Sequence, residues 1–145
     1  MITIPLLDYT LRTQAGQVWD GIRKAWVALS PEEHVRQLLI QHLTTTMHYP
    51  AALMAVEKSV GVGNGLQQRF DLVVYDRHHH KPWLIAECKA PDVPITDATL
   101  HQLLRYHAAL QCRYWLLSNG HQHFCADAGN PEKIEWLTAL PAYEP

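Results

Sequence analysis

The stretch LIAECKAPD, residues 84–92, places two ionisable side chains in a sequence that otherwise predicts a buried strand. Glu87 and Lys89 lie two residues apart, with Cys88 between them. Because successive side chains of a strand point to opposite faces, Glu87 and Lys89 share a face, about 7 Å apart along the backbone. Charged side chains are rarely buried unless they are paired or bind a metal ion. The spacing therefore indicates a polar site on one face of a sheet.

A third ionisable residue, Asp71, lies in the strand-like run RFDLVVYD, residues 69–76. A hairpin through the loop RHHHK, residues 77–81, would bring Asp71 opposite Glu87 to within a residue or two. Two close carboxylates repel each other unless one is protonated or a cation lies between them. Mg²⁺ takes oxygen ligands and is often bound by one or two carboxylates. Asp71, Glu87 and Lys89 are therefore predicted to support metal-assisted phosphodiester hydrolysis, with Lys89 orienting or deprotonating a water.

Two segments with helical periodicity flank these strands. Ser30 is a predicted N-cap, Pro31 the first helical residue and Glu33 the partner of Ser30 in a capping box. The apolar side of this helix is formed by Val35, Leu38, Leu39, Leu43 and Met47. The helix is predicted to end before Pro50. The segment ITDATLHQLLRYHAAL, residues 95–110, predicts the second helix.

Five runs predict strands, at residues 53–62, 69–76, 82–90, 112–120 and 121–127. The order is therefore a helix, three strands, a helix and two strands, which is an α/β arrangement with a mixed sheet and helices packed on it. Residues 1–29 predict a short N-terminal β extension with a turn at Asp20-Gly21. The pattern leaves the fold of the tail NPEKIEWLTALPAYEP open, and a short helix is one alternative.

The length and composition predict one globular domain over residues 1–145, with its core at about residues 30–128. No apolar stretch approaches the length of about 20 residues that a membrane span needs, so no membrane partner is expected. The N-terminus has no pattern of an export signal. The three widely spaced cysteines form no CxxC pair, which favours free thiols and a cytoplasmic location.

The formal net charge is −2 with histidine neutral. This charge argues against a strongly basic protein that holds nucleic acid over a wide surface. It is compatible with an enzyme that meets nucleic acid at one local face. Three consecutive histidines, His78 to His80, fit a solvated turn better than a metal site because neighbouring loop side chains splay apart.

Five ordered blocks resemble one known family: SPEEHVRQLLIQHL, RFDLVVYD, LIAECKAP, QLLRYHAAL and LLSNG. Asp71 followed by Glu87-x-Lys89 resembles the core of PD-(D/E)xK nucleases. The blocks together are similar to the N-terminal nuclease domain of type I restriction enzyme R subunits, in particular to small stand-alone bacterial members. The resemblance covers about residues 17–128. One departure is Phe70, which stands where the family name has proline.

The resemblance implies a restriction-endonuclease-like core and a role for each matching residue. Asp71 and Glu87 would bind Mg²⁺, for which Mn²⁺ can substitute. The backbone carbonyl of Cys88 would be a further ligand, and Lys89 would be the catalytic lysine. Glu33 on the first helix resembles the acidic residue that reaches the metal in many members, directly or through water. The alternative for Glu33 is a helix cap and nothing more.

Supporting residues are implied as well. Gln102 and Tyr106 resemble a helix motif found beside the active site, and their spacing of four places them on one helical face. Arg69 is a candidate for supporting the site or binding DNA. The implied function is Mg²⁺-dependent hydrolysis of DNA in restriction or phage defence. The implied partners are DNA and either a second copy of the chain or other restriction-system subunits.

A second hypothesis is a non-catalytic module with the nuclease fold that binds DNA or a restriction or repair partner. An enzyme is favoured because a pure scaffold has no use for carboxylates that repel each other. The lack of a basic patch favours the module. RNA or a small phosphodiester is a third substrate class. Taken alone, Glu87 and Lys89 would also fit an ordinary surface ion pair, worth about 0–1 kcal/mol.

Overall fold

The structure is a computed structural model that describes residues 2–130 and 132–145, with the backbone alone for Leu7. Within these residues the strands are β1 (Thr13–Gln14), β2 (Gln17–Asp20), β3 (Ala25–Ala28), β4 (Met54–Gly61), β5 (Gln67–Tyr75), β6 (Pro82–Cys88), β7 (Tyr114–Ser118), β8 (His123–Asp127) and β9 (Glu135–Trp136). The helices are α1 (Pro31–Gln41), α2 (Asp97–Leu104) and α3 (His107–Leu110). A π-helical turn, His42–Thr46, continues α1, and 3₁₀ turns span Leu6–Asp8 and Ala51–Leu53.

The strands form two sheets. The small sheet has the order β1-β2-β3, and the large sheet has the order β4-β5-β6-β7-β8-β9. Strands β6 and β7 are parallel because the chain crosses between them through α2 and α3, and the other neighbours are antiparallel. The prediction of a mixed α/β sheet with a short N-terminal β extension is confirmed.

The large sheet separates two apolar layers. Alternate residues of the central strands supply the two faces, with Leu72, Leu84 and Leu116 on one side and Val73, Ile85 and Trp115 on the other. Leu39 of α1 packs in the first layer, and Leu103 of α2 packs in the second. Each fully buried aliphatic side chain of this kind contributes about 1.5–3 kcal/mol. The central strands are therefore rigid supports for any side chain at their ends.

The start of α1 follows the sequence prediction in part. The Ser30 side chain accepts a hydrogen bond from the Glu33 backbone N–H at 3.1 Å. The Ser30 backbone N–H, however, donates to the Ala28 carbonyl oxygen rather than to the Glu33 side chain. Glu33 therefore does not complete a capping box, because its carboxylate is bound by arginines described below.

The segment predicted as one helix over residues 95–110 is divided in two. Thr96 caps α2 through reciprocal bonds with Thr99. The backbone N–H of Tyr106 donates to the carbonyl of Leu103, three residues back, so the last turn tightens. The Tyr106 ring packs on Phe70 of β5, with the ring centroids 5.6 Å apart. We attribute the break to this tertiary contact, which leaves no mark in helical periodicity.

The predictions for the N-terminal extension and for the C-terminal tail have different outcomes. The Asp20-Gly21 turn between β2 and β3 forms as predicted, with the Asp20 carboxylate accepting the backbone N–H groups of Ile22 and Arg23. In the tail, residues 135 and 136 form β9 beside β8, so the short helix considered for this segment is wrong. The ring of Trp136 lies 6.4 Å from that of Phe124, and this cross-strand contact accounts for the pairing.

The three cysteines are free, as the sequence predicts, and the structure shows that all three are buried. Over the described part of the chain, none of the helices combines the length and the hydropathy that crossing a bilayer would require. The loop that carries His78 to His80 is exposed, and the Asp76 carboxylate accepts two of its backbone N–H groups. This loop is the solvated turn that the sequence indicates.

Candidate active site

The register of β5 and β6 places Asp71 opposite Glu87. Leu72 pairs with Ala86, and continuing this register by one step joins Asp71 to Glu87. The Asp71 backbone N–H donates to Glu87 Oε1 at 3.0 Å. The Cys88 backbone N–H donates to Asp71 Oδ2 at 2.7 Å. The hairpin therefore brings the two carboxylates together, as the sequence predicts.

The other side of Asp71 is irregular. The β4–β5 ladder keeps one register throughout but is interrupted at the level of Glu57 and Asp71. Glu57 has a φ of +52°, which is the left-handed region that non-glycine residues rarely adopt. The interruption aims the Glu57 carboxylate at a group of arginines, and the edge of the site therefore includes a residue that the sequence does not single out.

Burial raises the pKa values of both carboxyl groups, and a neighbouring carboxylate adds to each shift, Glu57 for Asp71 and Asp71 for Glu87. Burial raises the pKa of Asp71, against the opposing effects of the Cys88 N–H and the positive charge of Arg36. Burial and the charge of Asp71 raise the pKa of Glu87 to about 7. The positive charge of Lys89 partly offsets both shifts, since it favours the ionised carboxylates. Carboxyl groups with raised pKa values in a cleft are typical of functional sites.

Lys89 directly follows β6, and its backbone N–H donates to the Ser118 carbonyl at 2.8 Å. Its side chain and that of Glu87 line a cavity of about 150 Å³ between the sheet and α2. Gln102 and Tyr106 line the same cavity. The structure therefore brings four of the predicted site residues around one cavity beside Asp71.

The two helix residues of the predicted motif differ in their surroundings. Gln102 is exposed at the mouth of the cavity. The Tyr106 hydroxyl donates to Gln68 Oε1 at 3.1 Å, and its ring packs edge-on against Phe70. Tyr106 therefore anchors the junction between α2 and α3 to β5, while Gln102 of α2 presents an amide at the cavity.

Glu33 is buried and its carboxylate is occupied by protein donors. Arg36 Nε lies 2.8 Å from Oε2 and Arg36 Nη2 lies 2.7 Å from Oε1. Arg23 Nη2 lies 2.5 Å from Oε1, and Gln37 donates to Oε2 at 3.1 Å. Burial opposes ionisation, but the hydrogen bonds from Arg36, Arg23 and Gln37 outweigh it and lower the Glu33 pKa to about 2. Both carboxylate oxygens of Glu33 thus accept hydrogen bonds from the protein. The contact of Glu33 with a metal stays a prediction.

Arg36 connects this network to the central carboxylates. Its Nη1 lies 3.2 Å from Asp71 Oδ1, while its other nitrogens hold Glu33. The side chain is only 7% exposed. Arg69, a predicted supporting residue, is 64% exposed and binds Glu57 Oε2 at 2.6 Å rather than Asp71. Arg36 is thus the guanidinium that contacts the candidate metal ligand.

The donor set fits Mg²⁺ in its chemistry. Asp71 and Glu87 present carboxylate oxygens side by side, and Mg²⁺ is commonly held by one or two carboxylates, with water and phosphate oxygens completing its octahedron. Among the described residues there is no group of three or more His, Cys, Asp or Glu side chains placed to hold a metal. The Cys88 thiol is fully buried and burial raises its pKa well above the usual value, so it is no nucleophile. The backbone carbonyl of Cys88 stays a predicted ligand.

Three residues of the site are missed by sequence reasoning. Arg36 has a local signal, because Glu33 and Arg36 are three apart on one helical face and an ion pair is favoured there. Arg23 reaches Glu33 from the β2–β3 turn, and Glu57 reaches the site from β4. These last two contacts depend on the packing of separate elements, so no spacing in the sequence predicts them.

Comparisons of this chain with known proteins find a matching family model and a solved structure with a similar fold. A family model described as the type I restriction enzyme R protein N terminus matches residues 31–141. A solved fragment described as an HsdR subunit of a type I restriction enzyme from Vibrio vulnificus YJ016 aligns with a TM-score of 0.55 at 16% identity. The alignment covers 79% of this chain and 24% of that chain, so this chain spans about a quarter of the solved fragment. At this identity the alignment shows a shared fold. A comparison with curated proteins finds no match.

Proposed function

Because the chain belongs to the family of the type I restriction enzyme R protein N terminus, we propose that it hydrolyses DNA phosphodiesters in an Mg²⁺-dependent reaction at Asp71, Glu87 and Lys89. The family places the chain among the nuclease-like domains of restriction systems. Restriction or phage defence in the cytoplasm is the corresponding proposed context. DNA is the proposed substrate, since restriction enzymes act on it.

The observation that carries the proposal is the geometry of the two carboxylates. Asp71 and Glu87 are fixed by bonds to each other's strand, and both pKa values are raised. Carboxylates held this way would bind the ion, and Lys89 would hold and orient the attacking water or the scissile phosphate beside them. A bound Mg²⁺ would acidify the water and neutralise developing negative charge. Gln102, at the mouth of the cavity, would contact the substrate.

One such site cuts one strand. Cleavage of both strands of a duplex therefore requires two copies of the chain or two successive events. A second copy of the chain or other restriction-system subunits are the proposed partners, and DNA is the proposed ligand of the site.

A non-catalytic DNA-binding or partner-binding module is the second candidate function. The specific observation in its favour is the contact of Arg36 with Asp71, which supplies a positive charge beside one of the two carboxylates that would hold the ion. Glu33 is also fully engaged by Arg23 and Arg36. A module could use this internal ion-pair network to stabilise the fold without metal.

The test is incubation of the purified chain with supercoiled and linear DNA in Mg²⁺, in Mn²⁺ and in EDTA. We expect nicking in either metal, none in EDTA, and loss of nicking in Lys89→Ala. Lys81→Ala, which removes an exposed lysine of the β5–β6 loop, is the matched control and should cut like the parent. Equal nicking by the parent and Lys89→Ala would contradict the proposed mechanism. DNA retention without cutting in either metal would support the module.

A further inference from the structure

Glu57 lies at the centre of an arginine cluster, which consists of Arg23, Arg36 and Arg69. Arg69 Nη2 lies 2.6 Å from Glu57 Oε2, and Arg23 Nη1 lies 3.4 Å from the same oxygen. Arg36 Nη2 lies 3.6 Å from the other oxygen, Oε1. Three guanidinium groups from β5, α1 and the β2–β3 turn therefore converge on one carboxylate. Guanidinium groups in this arrangement also match the oxygens of a phosphate.

The backbone of Glu57 is strained. Its φ of +52° lies in the left-handed region, which costs free energy for a side chain with a Cβ atom and occurs here inside a strand. The β4–β5 ladder is interrupted at the same level. The ion pair of Glu57 with Arg69 is exposed and repays little of such a cost. Residues with backbone strain of this kind are concentrated at ligand sites, which is consistent with a functional role for Glu57.

The cluster has an inner and an outer part. Arg36 is 7% exposed and is held by Glu33, while Arg23 is held by Asp20 and Glu33. Glu57 is 37% exposed and Arg69 is 64% exposed. The outer pair can separate in solvent without disturbing the inner ion pairs. A group that displaces Glu57 would then find two fixed guanidiniums and one adjustable one.

The position of the cluster relates it to the candidate active site. Arg36 contacts both Glu57 and Asp71, so the two carboxylates lie within the span of a single guanidinium. A nucleic acid strand with its scissile phosphate beside Asp71 would therefore have a neighbouring phosphate close to the arginine cluster. The formal net charge of the chain is −2, so binding a polyanion requires cations that become available locally.

We propose that the arginine cluster is a binding site for a backbone phosphate of DNA, and that Glu57 occupies it in the free protein as a substitute anion. When DNA binds, Arg23 and Arg69 exchange the Glu57 carboxylate for a phosphate that adjoins the scissile one. This inference deepens the proposed function and rests on it, since it takes DNA as the ligand. Glu57 then acts against non-specific polyanion binding, because any ligand must displace it.

The test measures equilibrium binding of a fluorescent DNA duplex in EDTA, so that cleavage does not contribute. The variants are Glu57→Gln, Arg69→Gln and the double variant, and exposed Glu144→Gln is the control for a general gain of one positive charge. Glu57→Gly is a second variant whose backbone accepts the left-handed conformation, so it removes the carboxylate without strain. Thermal melting confirms that each variant is folded.

We expect Glu57→Gln and Glu57→Gly to bind at least about threefold tighter than Glu144→Gln. Arg69→Gln should bind more weakly and reduce the slope of log K against log salt by about one. In the double variant the gain from Glu57→Gln should largely disappear, since Arg69 is the group that it releases. Equal affinities of Glu57→Gln, Glu57→Gly and Glu144→Gln would overturn the inference. Absence of duplex binding by the parent and both Glu57 variants would overturn it as well.

The binding result is separate from the outcome for hydrolysis. If no metal supports nicking but the Glu57 and Arg69 variants shift binding as expected, the phosphate site holds and the hydrolytic proposal fails. If Mg²⁺ supports nicking that Lys89→Ala abolishes while the Glu57 variants bind like Glu144→Gln, the reverse follows.

Discussion

Asp71 and Glu87 each accept a hydrogen bond from the backbone of the opposite strand. The Asp71 N–H binds the Glu87 carboxylate, and the Cys88 N–H binds the Asp71 carboxylate. The regular β5–β6 pairing ends one step earlier, at Leu72 and Ala86. The carboxylates therefore satisfy the backbone donors where the ladder stops, and this fixes their orientation before any ligand binds.

The first prediction concerns the pH dependence of stability. The pKa of Glu87 is about 7 in the folded protein, above the ordinary value of 4.5. The folded state therefore holds a proton that the unfolded state releases between these values. The contribution of this proton to the free energy of unfolding is fully present below about pH 4.5 and is lost as the pH rises through about 7. In EDTA, Glu87→Gln should gain in melting temperature relative to the parent as the pH is raised from 5 to 8.

The matched control is Glu132→Gln, which neutralises an exposed carboxylate. Its melting temperature should follow that of the parent across the same pH range. A pH dependence shared by both variants would show that the effect comes from net charge rather than from the buried pair.

The second prediction concerns metal binding without turnover. An ion that binds the folded state stabilises it according to its free concentration and dissociation constant. Saturating Mg²⁺ at pH 8 should raise the melting temperature of the parent above its value in EDTA. Asp71→Asn should lose most of this increase, whereas Asp8→Asn, at an exposed residue, should retain it. An increase that is the same in all three proteins would indicate that the ion binds elsewhere.

The third prediction concerns Arg36. Removing one partner of a buried ion pair leaves the other charge uncompensated, which typically costs about 3–5 kcal/mol. Arg36→Gln should lower the free energy of unfolding by an amount near the lower end of this range, because buried Glu33 loses its Arg36 bonds but keeps Arg23 and Gln37, while Asp71 loses a donor. The measurement is urea unfolding at neutral pH in EDTA. Lys81→Gln, an exposed substitution, should stay within about 0.5 kcal/mol of the parent.

The fourth prediction separates the roles of Gln102 and Tyr106, the two residues of the predicted helix motif. Tyr106→Phe removes the hydrogen bond to Gln68 and should cost about 0.5–1.5 kcal/mol in unfolding free energy. Gln102→Ala, at an exposed position, should leave stability within about 0.5 kcal/mol and reduce the rate of DNA nicking. Nicking assays and urea unfolding on both variants check the pair. A stability loss in Gln102→Ala larger than in Tyr106→Phe would contradict the assignment.

Much of the fold follows from local patterns in the sequence. The apolar spacing from Val35 to Leu43 and the Ser30 N-cap define α1. The nearly symmetrical spacing of Asp71 and Glu87 about a short polar loop defines the hairpin and thereby the pair of carboxylates. Such features depend on neighbours in the chain or on a single turn, so a periodicity or a loop length is sufficient to predict them.

The parts that the sequence does not predict depend on contacts between distant segments. The break between α2 and α3 is set by Tyr106 packing on Phe70, which overrides helical propensity. The interruption of β4 at Glu57 coincides with arginines from three other elements. The strand β9 forms at the edge of β8, where the Trp136 ring contacts the Phe124 ring. Each depends on tertiary packing, which single-sequence patterns do not encode.

The contact between Arg23 and Glu33 bears on where this domain can be cut for expression. The family match begins at residue 31, yet Arg23 lies before that boundary and donates to a buried carboxylate after it. A fragment that starts at residue 31 would also uncover the core surface that Ile2, Ile4 and Leu6 cover. A fragment limited to the matched segment should therefore be poorly soluble. A recombinant protein that keeps the first 30 residues should remain folded and soluble.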